Sequence, residues 1–370
     1  MMTRREILQG LGGAAAFAGL YPAMNGCSVG SPAASYADAV ARTWRHSSLT
    51  GLSGPILATE LTRYATLAPS SHNTQCWKFS AARDLITILP DRTRRCPAVD
   101  PDDHHLFVSL GCAAENLIQA AAAAGLRGET AFDASREVVL IRLEPAPAIE
   151  SPLFKAIPER QCTRGEFDGQ SLSTAEMHLL EDAARSTNVD VSLLTERRAM
   201  EQVLEYVIAG NTAQIADPAF VAELKAWIRF SEGAAVRSGD GLYAASSGNP
   251  TMPTWLGRRM FDMFFTAESE NEKYALQMRS SAGVAVFVGR TADKANWVDV
   301  GRSYQRFALQ ASALGIRNAM LNQPVEVSHL RPQFAALLGI GAQRPDLVVR
   351  FGRGPKLPVS LRRPVQAVMI

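Results

Sequence analysis

The chain has 370 residues, 47% of them hydrophobic and 20% charged, which allows a sizeable core in two units or one large one. Its formal net charge of +2 gives no electrostatic reason to expect nucleic acid as a partner, although a few well-placed arginines can still build a local anion site. Cys27, Cys76, Cys96, Cys112 and Cys162 include no C-x-x-C pair and are too sparse for a disulfide scaffold, leaving at most a lone bridge open.

The chain opens Thr3-Arg4-Arg5-Glu6-Ile7-Leu8-Gln9, and a Gly/Ala/Leu run follows from Gly10 to Leu20. A charged start, a short apolar run and small residues beyond it make a signal peptide; the run is too short and too glycine-rich to span a membrane. The paired arginines resemble the twin-arginine export signal. That resemblance implies the twin-arginine translocase as a partner, export of an already folded chain carrying its cofactor, and a periplasmic location. Met24-Asn25-Gly26-Cys27 resembles a lipoprotein cleavage box, which would anchor the chain at Cys27. Residues 26–37 are rich in Ser, Gly, Pro and Ala and read as linker, so 1–37 is signal peptide and linker.

Pro55 to Leu67 carries apolar residues at helical spacing and runs into Ala68-Pro69-Ser70-Ser71-His72-Asn73, which is turn and cap chemistry. Trp77–Phe79 and Leu85–Leu89 read as strands, 91–103 as a loop, His104–Leu126 as a long helix, and Val138–Leu143 as a strand. Pro145, Pro147 and Pro152 mark a joint. Beyond it, Ser173–Arg185 is a helix opened by a Ser173/Glu176 capping box. Val189–Leu194 is a strand, and Arg198–Ile215 and Pro218–Phe230 are helices. Residues 238–253 form a long loop of the kind that serves as a lid. Gly283–Gly289 is a buried strand, Trp297–Leu314 an apolar helix and Leu347–Phe351 a last strand. Both parts alternate strands and helices around one long apolar helix, an α/β (α+β) plan of two related halves, 38–150 and 151–370.

The segment Ala68-Pro69-Ser70-Ser71-His72-Asn73-Thr74-Gln75-Cys76-Trp77-Lys78-Phe79 crowds hydroxyl and amide side chains between a helix and an aromatic strand. An isoalloxazine ring needs that mixture, with donors and acceptors at its edge and apolar cover on its faces; a capped turn would use the same residue types. The segment resembles the A-P-S-x-x-N-x-Q-P-W motif of nitroreductase-like flavoproteins, and among them the Acg-type branch, in which two nitroreductase halves are fused. Cys76 stands where the family has proline. A second stretch, Arg160-Gln161-Cys162-Thr163-Arg164-Gly165-Glu166-Phe167, resembles the R-x-x-x-R/K run that grips the flavin phosphate in that family. A third, Pro358-Val359-Ser360-Leu361-Arg362-Arg363-Pro364-Val365, resembles the S-x-R-R-P close of the Acg-type branch.

The resemblance implies a nitroreductase-like fold forming an intramolecular pseudo-dimer, active as a monomer, with FMN in the interface. Arg160, Thr163, Arg164, Arg362 and Arg363 would hold the phosphate. Pro69, Ser70, Ser71 and Asn73 would cover and hydrogen-bond the ring, while Gln75 and Trp77 orient the loop. The implied activity is ping-pong electron transfer from a reduced donor such as NAD(P)H to a nitroaromatic or quinone, with no catalytic acid or base among the side chains. The alternative is a non-catalytic FMN binder closed by the 238–253 lid. No metal is expected: His104-His105 with Cys96 and Cys112 fits no common zinc spacing. No G-x-S-x-G elbow and no G-x-G-x-x-G after a strand is present, so neither a serine hydrolase nor a Rossmann site is supported.

Overall fold

The computed structural model describes residues 35–370; the expected signal peptide and Cys27 lie outside the described residues. The strands, in chain order, are β1 (Trp77–Ala82), β2 (Leu85–Pro90), β3 (Leu126–Asp133), β4 (Val138–Pro145), β5 (Val189–Leu194), β6 (Ile228–Arg229), β7 (Leu242–Tyr243), β8 (Gly283–Gly289), β9 (Arg317–Met320) and β10 (Pro345–Gly352). The helices of seven residues or more are α1 (Tyr36–Thr43), α2 (Gly54–Thr66), α3 (His104–Ala123), α4 (Thr174–Ala184), α5 (Arg197–Ala216), α6 (Pro218–Trp227), α7 (Glu232–Ser238), α8 (Thr254–Phe264), α9 (Ala267–Arg279), α10 (Lys294–Ala313) and α11 (Arg331–Leu338). The expected mixed α/β class is what the structure shows.

Two four-stranded sheets, each antiparallel throughout, carry the fold: β1-β2-β4-β3 and β5-β8-β10-β9. In the second sheet, alternate residues face opposite ways along a strand. Ala285 and Phe287 of β8 join the larger core with Leu347, Val349 and Phe351 of β10. Val284, Val286 and Val288 join Met200, Val203 and Val207 of α5 on the other face. Covered on both faces, β8 and β10 are buried along their whole length, which is why Gly283–Gly289 reads as an unbroken apolar run.

α3 and α10, each 20 residues long, cross where each has a glycine. A Cβ on Gly111 would lie 2.0 Å from the Val298 carbonyl oxygen, and one on Gly301 would lie 2.0 Å from that of Val108. The contact is reciprocal: Val108 and Gly111 on one helix meet Gly301 and Val298 on the other. Around it Gln305 Nε2 donates to Asn116 Oδ1 at 2.6 Å, and Arg302 and Arg306 reach Glu115 at 3.3 and 3.1 Å. α3 is long and apolar enough to cross a membrane, but 17 of its 20 residues are buried inside the protein.

After β10 the chain runs back to the first sheet. Phe79 N donates to Val368 O at 2.7 Å and Ile370 N to Phe79 O at 2.9 Å, so the tail covers the edge of β1. α1 fastens this tail from outside through Tyr36 Oη to Val359 O (2.6 Å) and Trp44 Nε1 to Ser360 O (3.1 Å). The tail therefore passes directly over the segment between α2 and β1. Cys76, Cys96, Cys112 and Cys162 are free thiols.

Candidate functional site

The loop after α2 is held in a conformation its residues do not choose by themselves. His72, Asn73 and Gln75 all have positive φ, 48°, 54° and 54°, at a cost of order 1 kcal/mol each for a non-glycine residue. The surroundings over-determine it. Ser70 Oγ accepts from Gln75 N at 2.9 Å. Asn73 Nδ2 donates to Gly241 O (2.9 Å) and Leu361 O (3.1 Å), and Gln75 Nε2 donates to Gly239 O (2.8 Å). The 239–241 turn meets the loop this closely because both glycines have positive φ, and a Cβ on Gly241 would sit 2.4 Å from Trp227 O.

Arg362 binds this loop from the tail. Its guanidinium donates to the carbonyls of Thr66 (2.6 Å), Ala68 (3.1 Å) and Leu67 (3.3 Å) and to Asn73 Oδ1 (2.8 Å). A cation against the last carbonyls of α2 is favourable, because these carry the negative end of the helix dipole. Arg363 N donates to Gln75 Oε1 at 2.9 Å and its Nη2 to Gln75 O at 3.0 Å.

Arg160 approaches the same carbonyls from the other part of the chain, Nη2 donating to Leu67 O at 3.0 Å. It is 2% exposed, and its Nε and Nη1 have no partner. Burial first, and then the Arg160 charge, pushes the Arg362 guanidinium well below its ordinary range. Two buried cations side by side, one with two N–H groups unanswered, make a wall that an anion would satisfy. Arg164 makes a single long contact from Nη1 to Ser247 Oγ at 3.4 Å. Its backbone is held by Gln277, whose Nε2 donates to Arg164 O at 2.6 Å, and by Arg350, which donates to Thr163 O and Gly165 O at 3.1 and 2.6 Å and stacks 4.2 Å over Phe167.

These parts line an open cleft of about 60 Å³. Of the residues expected from sequence, Pro69, Ser70, Asn73, Arg160, Arg164 and Arg362 line it. Ser71, Thr163 and Arg363 do not: Ser71 faces a small pocket beside Cys76 and Arg94, and Arg363 braces Gln75. Thr163 is fully buried with its hydroxyl unpartnered, its backbone N donating to Asn318 O at 2.8 Å. Gln75 ties the loop to the tail and to the 239–241 turn. From the expected lid come Leu242 and Ser246. Sequence reasoning missed Trp44, whose ring lies 4.8 Å from the Arg362 guanidinium, and Arg350. The one legible signal for Arg350 was a charge inside the apolar run Leu347–Phe351. Beneath the loop, burial, Arg164 and His105 push the His72 imidazole down to about 4, so it is neutral at ordinary pH.

No family model matches the chain. A protein of Mycobacterium tuberculosis strain H37Rv, provisionally named an NAD(P)H nitroreductase, is 23% identical over 320 residues, 82% of this chain and 88% of that protein. Its counterpart in strain CDC 1551 is equally similar. Among solved structures, the FMN-bound nitroreductase of Desulfitobacterium hafniense is 17% identical, covering 58% of this chain and 94% of that one at a TM-score of 0.36. NfnB of Mycobacterium smegmatis, an FMN-dependent nitroreductase in complex with NADPH, is 13% identical over 59% of this chain and 91% of that one at 0.36. A protein of Anabaena variabilis provisionally named a nitroreductase is 10% identical over 78% and 82%, at 0.43. By sequence, the similarity to a protein bearing the nitroreductase name runs through most of the chain.

Proposed function

We propose that this chain is an FMN-dependent oxidoreductase of the nitroreductase type. In this reading its two sheets, with α3 and α10 crossed between them, form an intramolecular pseudo-dimer that is active as a monomer. The observation that carries the proposal is Arg160, buried in the wall of the cleft with Nε and Nη1 unpartnered beside the buried Arg362. Such a wall fits the phosphate of FMN, each charge-assisted bond being worth about 1.5–3 kcal/mol. Arg160 and Arg164 hold the phosphate, and Arg362 positions the loop. Pro69, Trp44 and Leu242 offer apolar and aromatic cover for a flat ring, and Ser70 and Asn73 its polar edge. When bound, FMN would supply the two-electron chemistry between donor and acceptor. The chain's own part is to bind, orient and shield: the strained 70–75 loop is fixed by the tail and the 239–241 turn before anything binds, so no ordering is left to offset.

The name of the mycobacterial relative supports a reduced nicotinamide as donor, with a nitroaromatic or quinone as acceptor. The paired arginines support export by the twin-arginine translocase to the periplasm, and the Met24-Asn25-Gly26-Cys27 stretch supports lipid attachment at Cys27. Leu242 and Ser246 in the cleft wall favour a second reading, in which the lid closes over FMN and the protein holds it without turnover. Stopped-flow absorption of the yellow protein mixed with NADPH separates the two: rapid bleaching, reversed by a quinone, is expected of the enzyme. A flavin that neither NADPH nor NADH bleaches supports the holder, and a colourless protein that takes up no FMN overturns both.

A further inference from the structure

The start of α3 carries a cluster that the proposed chemistry does not use. Asp100, His104 and His105 are 4%, 1% and 4% exposed. One nitrogen of each imidazole and one Asp100 oxygen all lie within 4.8 Å of one another. Each histidine turns one nitrogen toward a carboxylate from the later part of the chain: His104 Nε2 is 2.8 Å from Asp346 Oδ1 and His105 Nδ1 is 3.6 Å from Glu326 Oε1. The remaining nitrogens, His104 Nδ1 and His105 Nε2, are buried without any partner. His104, whose Nε2–H is committed to Asp346, presents a lone pair on Nδ1, and this outer carboxylate is the arrangement that orients metal-binding histidines; the 3.6 Å from His105 to Glu326 is an ionic approach without a hydrogen bond.

The charges agree. Asp100, Glu326 and Asp346 bring three carboxylates to the two imidazoles. Of the nearby cations, Arg344 is paired with Asp102 at 2.5 Å, which leaves Arg331, itself donating to Val325 O (2.6 Å) and Glu326 O (3.3 Å). Asp100 accepts from His105 N and Leu106 N at 3.0 and 2.9 Å. Those bonds answer the positive end of α3 and leave a lone pair on each oxygen. Cys96 and Cys112, whose spacing from His104-His105 fits no common zinc pattern, are not in the cluster: Cys96 packs with Val99 and Phe220, and Cys112 Sγ donates to Gly301 O.

We propose that Asp100, His104 and His105 bind one divalent transition-metal ion of the zinc class, with Asp346 orienting the His104 imidazole. Two imidazole nitrogens beside a carboxylate oxygen suit Zn²⁺, Fe²⁺, Ni²⁺ or Cu²⁺ rather than the oxygen-seeking Ca²⁺, Mg²⁺ and Mn²⁺. The ion fastens the start of α3 to β10 through His104 and Asp346.

The test is metal content by mass spectrometry of the purified full chain after incubation with Zn²⁺ and gel filtration, together with its melting temperature with and without Zn²⁺. The wild type retains one equivalent and melts higher with zinc. His105→Gln, which keeps side-chain bulk and an amide, loses the metal, while Asp346→Asn, which replaces the outer carboxylate of His104 and keeps an amide oxygen for its bond from Gly289 N, weakens affinity about 10–100-fold; both keep the far-ultraviolet circular dichroism of the wild type. Should Asp100→Asn unfold by loss of its bonds to α3, these two variants still decide the matter. A wild type that takes up no zinc and melts unchanged overturns the proposal. Full retention by His105→Gln also overturns it, and points to the neighbouring His72, Cys96 and Glu223 group.

Discussion

Arg160 and Arg362 show how far a sequence carries at the residue scale. Both read as phosphate-binding arginines, and both line the cleft. Yet Arg362 spends its guanidinium on the carbonyls of Thr66, Leu67 and Ala68 and on Asn73, whereas Arg160 keeps two N–H groups free. Nothing local to either residue distinguishes them; the partners of Arg362 lie almost 300 positions away. The two therefore answer mutation in opposite ways. Arg160→Met removes a buried, half-answered cation, so the flavin-free protein becomes more stable in urea while FMN affinity falls about 10–100-fold, each tenfold being about 1.4 kcal/mol. Arg362→Lys loses the planar fork and several charge-assisted bonds, lowering stability by about 2–4 kcal/mol with or without FMN. Equilibrium unfolding monitored by circular dichroism, beside flavin fluorescence titration, reads both. An Arg160→Met protein that binds FMN as tightly as wild type would contradict the role given to this side chain.

Elements were legible where periodicity was strong. The helices starting at His104 and Ser173 and the strands 189–194 and 283–289 lie where apolar spacing and the Ser173/Glu176 capping box place them. The misses have physical causes. The helix expected to reach Leu126 ends at Ala123, because Gly125 turns at φ 80°, and Leu126 opens β3 instead. β3 is an edge strand paired only with β4; half-exposed and carrying Arg127, Gly128 and Glu129, it has no apolar alternation to announce it. β9 is four residues long, and its pairing with β10 is invisible locally. The Gly111–Gly301 crossing is equally silent, since a glycine in an apolar helix does not reveal what touches it. Gly111→Ala and Gly301→Ala each press a Cβ onto a backbone carbonyl that cannot swing aside. Each costs about 1–3 kcal/mol despite alanine's better helix propensity, seen as a lower urea midpoint. Gly233→Ala, exposed in α7 and meeting only the flexible end of Arg237, is neutral or stabilising in the same assay.

At the scale of the whole molecule, the alternation of strands and helices and the prolines near 145–152 read as two related halves, whereas residues 35–370 form one compact unit. What the sequence left unstated was how the parts are tied: the tail returning from β10 to the edge of β1, α1 fastened over that tail, and one apolar core running through residues of both sheets. The cleft is made by this closure, because its walls come from residues near 70, 160, 242 and 360. Removing the tail after Leu357 therefore strips β1 of its cover and releases the 70–75 loop, and the truncated chain is expected to lose FMN binding and to melt well below the full chain. The central claim is that this cleft holds one FMN, and the most direct measurement is the visible absorption spectrum of the purified chain, with FMN released by heat and quantified against protein. The account predicts a yellow protein carrying one FMN per chain, and a lower FMN content in Arg160→Met at unchanged fold. A colourless chain that stays colourless after incubation with excess FMN would contradict it.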